Sequence, residues 1–268
     1  MEYEIIKLWE NTPDYHPEYN QPEPNLEVHP VDNPRGCVVV IPGGGYEWIA
    51  FDHEGRELAE FYNAHGYYAY VLTYRFRPYR HPVEQGDANR AIRLARYRAK
   101  DCGYDANKIA VIGFSAGGHL AMTACTKFDS GIDGDEIAVD EIDRISCRPD
   151  LGVLCYGVLT LGTDYTHWGT TLNLLGEGYD PALAGELSAA GAVRPDMPPC
   201  FIWHTAEDDL VPVQNSLEMA KAMRSVGVPY ELHVFPFGGH GFGLATNADS
   251  YVSRWGGWMM DFFEKFWG

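Results

Sequence analysis

Six short runs of β-forming residues recur along this chain, and a stretch of helical periodicity separates most of them. They cover residues 37–41, 68–72, 109–112, 151–155, 200–203 and 230–235. Strands that alternate with helices cannot pair as simple hairpins. Each must cross over to a parallel neighbour, so the pattern predicts an α/β fold with a mostly parallel central sheet and helices on both faces, a three-layer sandwich. Most of the runs are continuously apolar, as expected of strands covered on both sides. The last alternates more and is expected nearer an edge. Apolar residues spaced three and four apart predict helices over 54–64, 87–100, 116–127, 212–226 and 248–266. Gly66 and Gly103 stand where helix ends call for a left-handed residue.

A chain of 268 residues, 46% hydrophobic, is long enough for one large core, and a single unit over 1–268 is expected. Residues 159–199, rich in Gly and Pro, do not fit the alternation and read as a loop-like or lid-like insertion over the sheet. Residues 128–149 are acidic, and without EF-hand spacing a solvated loop is expected rather than a calcium site. The formal charge of −18 repels phosphate backbones and anionic membranes, which argues against nucleic-acid and membrane-surface partners. No run of about 18 apolar residues is present, and no basic segment followed by an apolar one opens the chain. Six scattered cysteines without C-x-x-C spacing are expected as reduced, mostly buried thiols. These points together lead us to expect a cytoplasmic protein.

Between the third run and the helix after it lies Gly113-Phe114-Ser115-Ala116-Gly117. A strand-turn-helix context is what a G-x-S-x-G nucleophile elbow requires. The turn exposes the Ser115 hydroxyl, the two glycines allow strand and helix to approach, and the helix N-terminus favours negative charge nearby. A serine hydroxyl needs a base to take its proton, and the chain order on such a scaffold is Ser, then acid, then His. His119 lies too early, in the helix after the elbow, and His204 and His233 belong to strands. His240, in Gly238-Gly239-His240-Gly241, follows the last run on a flexible loop and is the expected base. Three acids follow the fifth run. Asp208, four residues before Pro212, is the expected partner, with Asp209 the alternative and Glu207 less favoured. Upstream, Pro42-Gly43-Gly44-Gly45-Tyr46 ends the first run. Its position suits an oxyanion loop, and the N–H groups of Gly44, Gly45 and Ala116 are the expected donors. No P-loop or dinucleotide fingerprint accompanies the glycines, no zinc spacing is present, and the chemistry needs no metal or cofactor.

Several blocks together resemble the acetyl-esterase branch of the bacterial α/β-hydrolases, proteins described as acetylxylan esterase-like and sometimes labelled xylanases. The likeness runs from Lys7-Leu8-Trp9 and the Pro42–Tyr46 loop through His53-Glu54-Gly55, Val71–Arg75 and Asp87–Arg93. It continues in Gly113–Ala121, His204–Asp208 and Gly239–Leu244. The resemblance implies an α/β-hydrolase fold, a Ser-Asp-His triad, and hydrolysis of short acyl esters, commonly acetyl groups on xylan-derived sugars. The partner implied is a small-molecule or oligosaccharide ester. The chain departs from the pattern at Tyr156-Gly157, where a proline is expected after the tyrosine. An amide hydrolase of arylformamidase type and a non-catalytic binding protein are the alternatives on the same fold.

Other marked residues carry two readings. Tyr46, Trp48, Phe51, His53 and Glu54 line a sugar pocket on one; on the other, Glu54 opens a helix and the aromatics are packing. Arg75, Arg77 and Arg80 are expected to brace a loop by pairing with carboxylates. Trp203 and Trp255 are expected in the core.

Overall fold

The computed structural model describes residues 3–128, 140–246 and 251–268. At its centre is one eight-stranded sheet. Two short strands, β1 (Ile5–Lys7) and β2 (Asn25–His29), precede the six expected ones. Those are β3 (Cys37–Ile41), β4 (Tyr68–Thr73), β5 (Ile109–Phe114), β6 (Leu151–Cys155), β7 (Cys200–Thr205) and β8 (Tyr230–Phe235). The spatial order is β1-β2-β4-β3-β5-β6-β7-β8. From β4 to β8 neighbouring strands are parallel, while β1 and β2 join antiparallel at one edge. The more alternating run, β8, forms the other edge.

Among the described residues eight α-helices accompany the strands: α1 (Glu57–Ala64), α2 (Val83–Cys102), α3 (Ala116–Thr126), α4 (Trp168–Leu175), α5 (Pro181–Glu186), α6 (Ala189–Ala192), α7 (Gln214–Val226) and α8 (Trp255–Trp267). The helix expected from 54 begins with a π-turn over Asp52–Arg56. The one expected from 248 starts at Trp255 after a 3-10 turn over Val252–Arg254, and residues 247–250 lie outside the described residues. Gly66 and Gly103 take positive φ, 79° and 83°, at the ends of α1 and α2. Residues 159–199 are not merely a loop, since α4, α5 and α6 all fall within them.

Strand alternation sends side chains to two cores. Val38 and Val40 of β3 pack with Leu58 and Tyr62 of α1 and Met259 and Phe263 of α8. Val39 and Ile41 face the other way, toward Ala91 and Ile92 of α2, Leu120 of α3 and Met223 of α7. Trp203 and Trp255 are fully buried and stack at 5.0 Å between centroids. All six cysteines are free thiols.

The connections determine where a site can form. The chain leaves β3 for β4 on one side, then returns through α2 to place β5 on the other. Loops after β3 and β5 therefore diverge and leave a crevice at the carboxyl ends of these strands, the usual binding position in open parallel sheets. The glycine loop and Ser115 are the segments brought to that crevice.

The crossover is fixed by a buried ion pair. Arg75, just after β4, donates to both carboxylate oxygens of Asp87 on α2, with the shortest contact 2.7 Å, and to the carbonyl of Pro13. Arg77 pairs with Glu47, as expected of it, but Arg80 donates to the carbonyls of Asn173 and Tyr79 rather than to a carboxylate. Of the acidic stretch, Asp140 and Asp143 bind Arg90 of α2, whereas Asp129, Asp133, Asp135 and Glu136 lie outside the described residues. The Arg75 pair makes a test of the fold. Arg75→Met leaves the Asp87 carboxylate buried without its cation, and stability should fall by about 3–5 kcal/mol in denaturant unfolding. Adding Asp87→Leu should recover most of that loss.

Candidate active site

Ser115 occupies a turn that few residues tolerate. It caps α3 with φ 53° and ψ −119°, a conformation costing roughly 1–3 kcal/mol for a residue with a side chain. The flanking glycines explain how the turn closes. A Cβ on Gly113 would lie 2.0 Å from the carbonyl oxygen of Gly117, and one on Gly117 would lie 2.2 Å from that of Ile41. The backbones of β3, β5 and α3 therefore touch here, which raises the Ser115 side chain into the crevice. The Ser115 N–H donates to the carbonyl of Cys155 at 3.0 Å.

The structure brings the expected base and acid to this hydroxyl. His240 Nε2 lies 2.7 Å from Ser115 Oγ, and His240 Nδ1 lies 2.7 Å from Asp208 Oδ2. Of the competing acids, Asp208 is buried and faces the ring, Asp209 is exposed, and Glu207 accepts from the Gly238 N–H instead. The Asp208 Oδ1 accepts N–H bonds from Leu210 and Val211. Behind Asp208 sits fully buried His204, whose Nε2–H is shared between the Val211 carbonyl at 2.8 Å and Asp208 Oδ2 at 3.3 Å. Burial alone would raise the Asp208 carboxyl. Hydrogen bonds from His204 and His240 outweigh it and hold the group well below the ordinary carboxylate range. The Thr205 hydroxyl, at the end of β7, reaches the carbonyls of Gly238 and Gly239 and so tethers the histidine loop.

The glycine loop is held from beneath by Glu54. This buried carboxylate accepts the Gly43 N–H on Oε2 at 2.9 Å and the Tyr156 hydroxyl on Oε1 at 2.8 Å. Tyr156 in turn accepts the N–H of Gly243, in the histidine loop, at 2.8 Å, and its ring meets that of His240 edge-on. Burial and the neighbouring Glu54 charge push the Tyr156 hydroxyl far up, so it stays a donor to the carboxylate. At the Tyr156-Gly157 departure the backbone packs closely on α3, since a Cβ on Gly118 would be 2.8 Å from the Gly157 Cα, and a Cβ on Gly157 would meet the Leu159 side chain at 2.7 Å. The N–H groups of Gly44, Gly45 and Ala116 have no protein acceptor among the described residues, and Gly44 and Gly45 line the crevice beside Ser115.

That crevice is a cavity of about 310 Å³. Trp48, His53 and Glu54 line it, as one reading of them expected. Tyr46 does not. With φ 54° it turns inward, is fully buried, and meets Nδ1 of His119 with its hydroxyl at 2.9 Å. Its place beside the glycine loop made it look like a pocket residue, but the reversed backbone sends the ring to the core. Phe51 packs against the core rather than the cavity. The sequence reading also passed over His167 and Asn173, which line the cavity from α4, and over His204 and Tyr156. Tyr156 and Asn173 meet partners distant in the chain, Glu54 and Gly45, while His167 and His204 make local contacts that no motif marks.

A parallel sheet with an elbow serine after one strand, an acid after a later one and a histidine after the last is the α/β-hydrolase architecture. Residues 29–223 match the BD-FAE family model, and the chain belongs to that family. It is 39% identical over 243 residues to endo-1,4-beta-xylanase B of Butyrivibrio fibrisolvens, covering 87% of this chain and 36% of that protein. It is 33% identical over 236 residues to the acetylxylan esterase of Xylanibacter ruminicola, covering 85% of this chain and 46% of that one. The chain thus spans less than half the length of these curated relatives. An acetyl ester-xyloside bifunctional hydrolase from Caldicellulosiruptor lactoaceticus superposes with a TM-score of 0.91 at 44% identity, covering 98% of this chain and 96% of that one.

Two expectations follow. Tyr156→Phe strands a carboxylate oxygen and a backbone N–H, so stability should drop by about 1–3 kcal/mol in urea unfolding. Unlike an ordinary core variant, it should also slow labelling of Ser115 by a fluorophosphonate. The second concerns acid. Burial holds the His119 imidazole down to about 4, against the pull of the Leu187 carbonyl that accepts its Nε2–H. The unfolded chain therefore binds a proton that the folded chain refuses between about pH 6.5 and 4, and stability falls as pH is lowered through that window. His81, also held down to about 4 by burial, adds to the effect. In His119→Gln, the stability lost between pH 7 and pH 5 should shrink by about 1–2 kcal/mol.

Proposed function

We propose that this chain is a serine esterase removing short acyl groups, foremost acetyl, from acetylated xylo-oligosaccharides or related sugars. One observation carries the reading: an unbroken hydrogen-bond chain from Asp208 through His240 to Ser115 opens into a cavity whose floor presents free backbone N–H groups. Ser115 Oγ attacks the acyl carbon while His240 Nε2 takes its proton. Asp208 fixes the tautomer and stabilises the imidazolium. The N–H groups of Gly44, Gly45 and Ala116 receive the charge that forms on the carbonyl oxygen. His240 returns the proton to the leaving alcohol. It then takes one from water, whose oxygen attacks the acyl-Ser115; the acyl carbon–Oγ bond breaks, Oγ takes the proton back from His240, and the acid leaves. The sugar-ester assignment is supported by the relatives named for acetylxylan and acetyl ester-xyloside hydrolysis.

Ser115→Ala should lower kcat on nitrophenyl acetate by about 10⁴-fold or more while thermal unfolding stays near wild type. Near-wild-type turnover would remove Ser115 from the reaction. An acyl-length series on nitrophenyl esters tests the acetyl preference, and a clear win for butyryl or longer chains overturns it. Faster turnover of formanilide than of acetyl esters favours the amide-hydrolase alternative. A wild-type protein that no fluorophosphonate labels would instead be a non-catalytic binder.

A further inference from the structure

One wall of the cavity is built by α4 and its cap residue, and its polar groups have a defined polarity. His167 caps α4. Its Nδ1 accepts the backbone N–H of Thr170 at 3.3 Å and lies 2.8 Å from the Thr170 hydroxyl. A ring nitrogen that accepts from an N–H carries no proton, so the neutral imidazole bears its hydrogen on Nε2. Burial and the nearby His240 lower the pKa of this ring and favour the neutral form. Nε2 has no protein partner among the described residues, and the ring lines the cavity against Gly45. Asn173, also lining the cavity, gives its amide hydrogen to the Gly45 carbonyl at 2.8 Å. Only the NH₂ group can make that bond, so Oδ1 is the free acceptor.

The wall thus offers one donor and one acceptor beyond the oxyanion donors. A simple acyl group has no hydrogen-bonding atom except its carbonyl oxygen, which Gly44, Gly45 and Ala116 serve. The alcohol half of the ester is the part that matches a donor-acceptor pair, provided it carries free hydroxyls. Trp48 and Leu210, exposed at 55% and 51%, add apolar surface at the mouth suited to a sugar ring face. Resting on the esterase reading above, we propose that His167 and Asn173 form the recognition site for the alcohol, with His167 Nε2–H donating to, and Asn173 Oδ1 accepting from, hydroxyls that neighbour the scissile ester on a sugar. His167 is then a specificity residue that acts through substrate binding.

The test compares acetylated xylobiose, which carries neighbouring hydroxyls, with nitrophenyl acetate, which carries none. His167→Ala removes both helix cap and donor. His167→Asn keeps a capping oxygen but is too short to present the donor. In both variants the ratio of kcat/KM for the sugar ester to that for the nitrophenyl ester should fall about ten-fold, through KM. A wild-type ratio in His167→Asn overturns the proposal and leaves His167 as a cap alone. Equal losses on the two substrates overturn it in favour of a role beside the oxyanion donors. A wild-type enzyme that cleaves nitrophenyl acetate but not the sugar ester overturns it while the Ser115 reading stands. A wild-type enzyme inert toward both overturns the esterase reading and this inference with it.

Discussion

The site depends on one buried carboxylate. Glu54 joins the loop after β3, through the Gly43 N–H, to Tyr156 after β6, and Tyr156 joins both to the loop after β8 through the Gly243 N–H. Three segments far apart in the chain are thereby fixed to one pair of oxygens. Loops of glycines have no side chains to lock them, and their conformational entropy is high. The Gly43–Gly45 and Gly238–Gly243 segments are both of this kind. A charge-assisted hydrogen bond in a buried setting is a strong way to order such backbone without adding bulk near the reacting atoms. Charge here also demands satisfaction, because an unpaired oxygen on Glu54 would be costly.

Backbone strain at Ser115 works to the same end from the opposite direction. The sheet supplies the rigidity, since β3, β5 and β6 are buried on both faces and the elbow sits at their shared carboxyl end. The turn at Ser115 is held because Gly113, Gly117 and Gly118 let three backbones meet at distances that any side chain would prevent. Asp208 is managed by pairing rather than strain. Two backbone N–H groups and His204 satisfy it before His240 is counted. An acid so stabilised remains ionised over the whole working range and keeps one face for the imidazole.

How much of this the sequence reveals follows from what each feature depends on. The strands β3 to β7 were readable because burial on both faces leaves continuous apolar runs, and β8, a half-buried edge strand, because its residue types alternate. β1 and β2 were not. β1 is three residues long, and β2 carries Glu27 and His29, buried polar groups that pair with each other. Ser115, Asp208 and His240 were readable from chain order and spacing. Tyr156 and Asn173 were not, since no spacing rule records a hydrogen bond across 102 residues such as that from Tyr156 to Glu54, and His167 and His204 were not, since their local contacts with Thr170 and Asp208 belong to no motif. Tyr46 was misplaced for a related reason. Adjacency to the glycine loop suggested a pocket wall, but a positive φ reverses the direction of a side chain.

The charge of the chain sharpens what the glycine loop must do. With −18 formal charges, the molecule as a whole disfavours negative charge at its surface, and Glu47, Glu54 and Asp208 lie near the cavity. The transition state of acyl transfer places negative charge on an oxygen inside that field. Among the described residues, no Lys or Arg lines the cavity to offset it. In the proposed reaction stabilisation is then local and dipolar, from backbone N–H groups and the N-terminus of α3 acting at hydrogen-bond distance. The same field then acts on the outcome. In the proposed reaction a neutral ester enters without penalty, whereas hydrolysis yields a carboxylate that the acidic surface repels, which favours departure of the product acid.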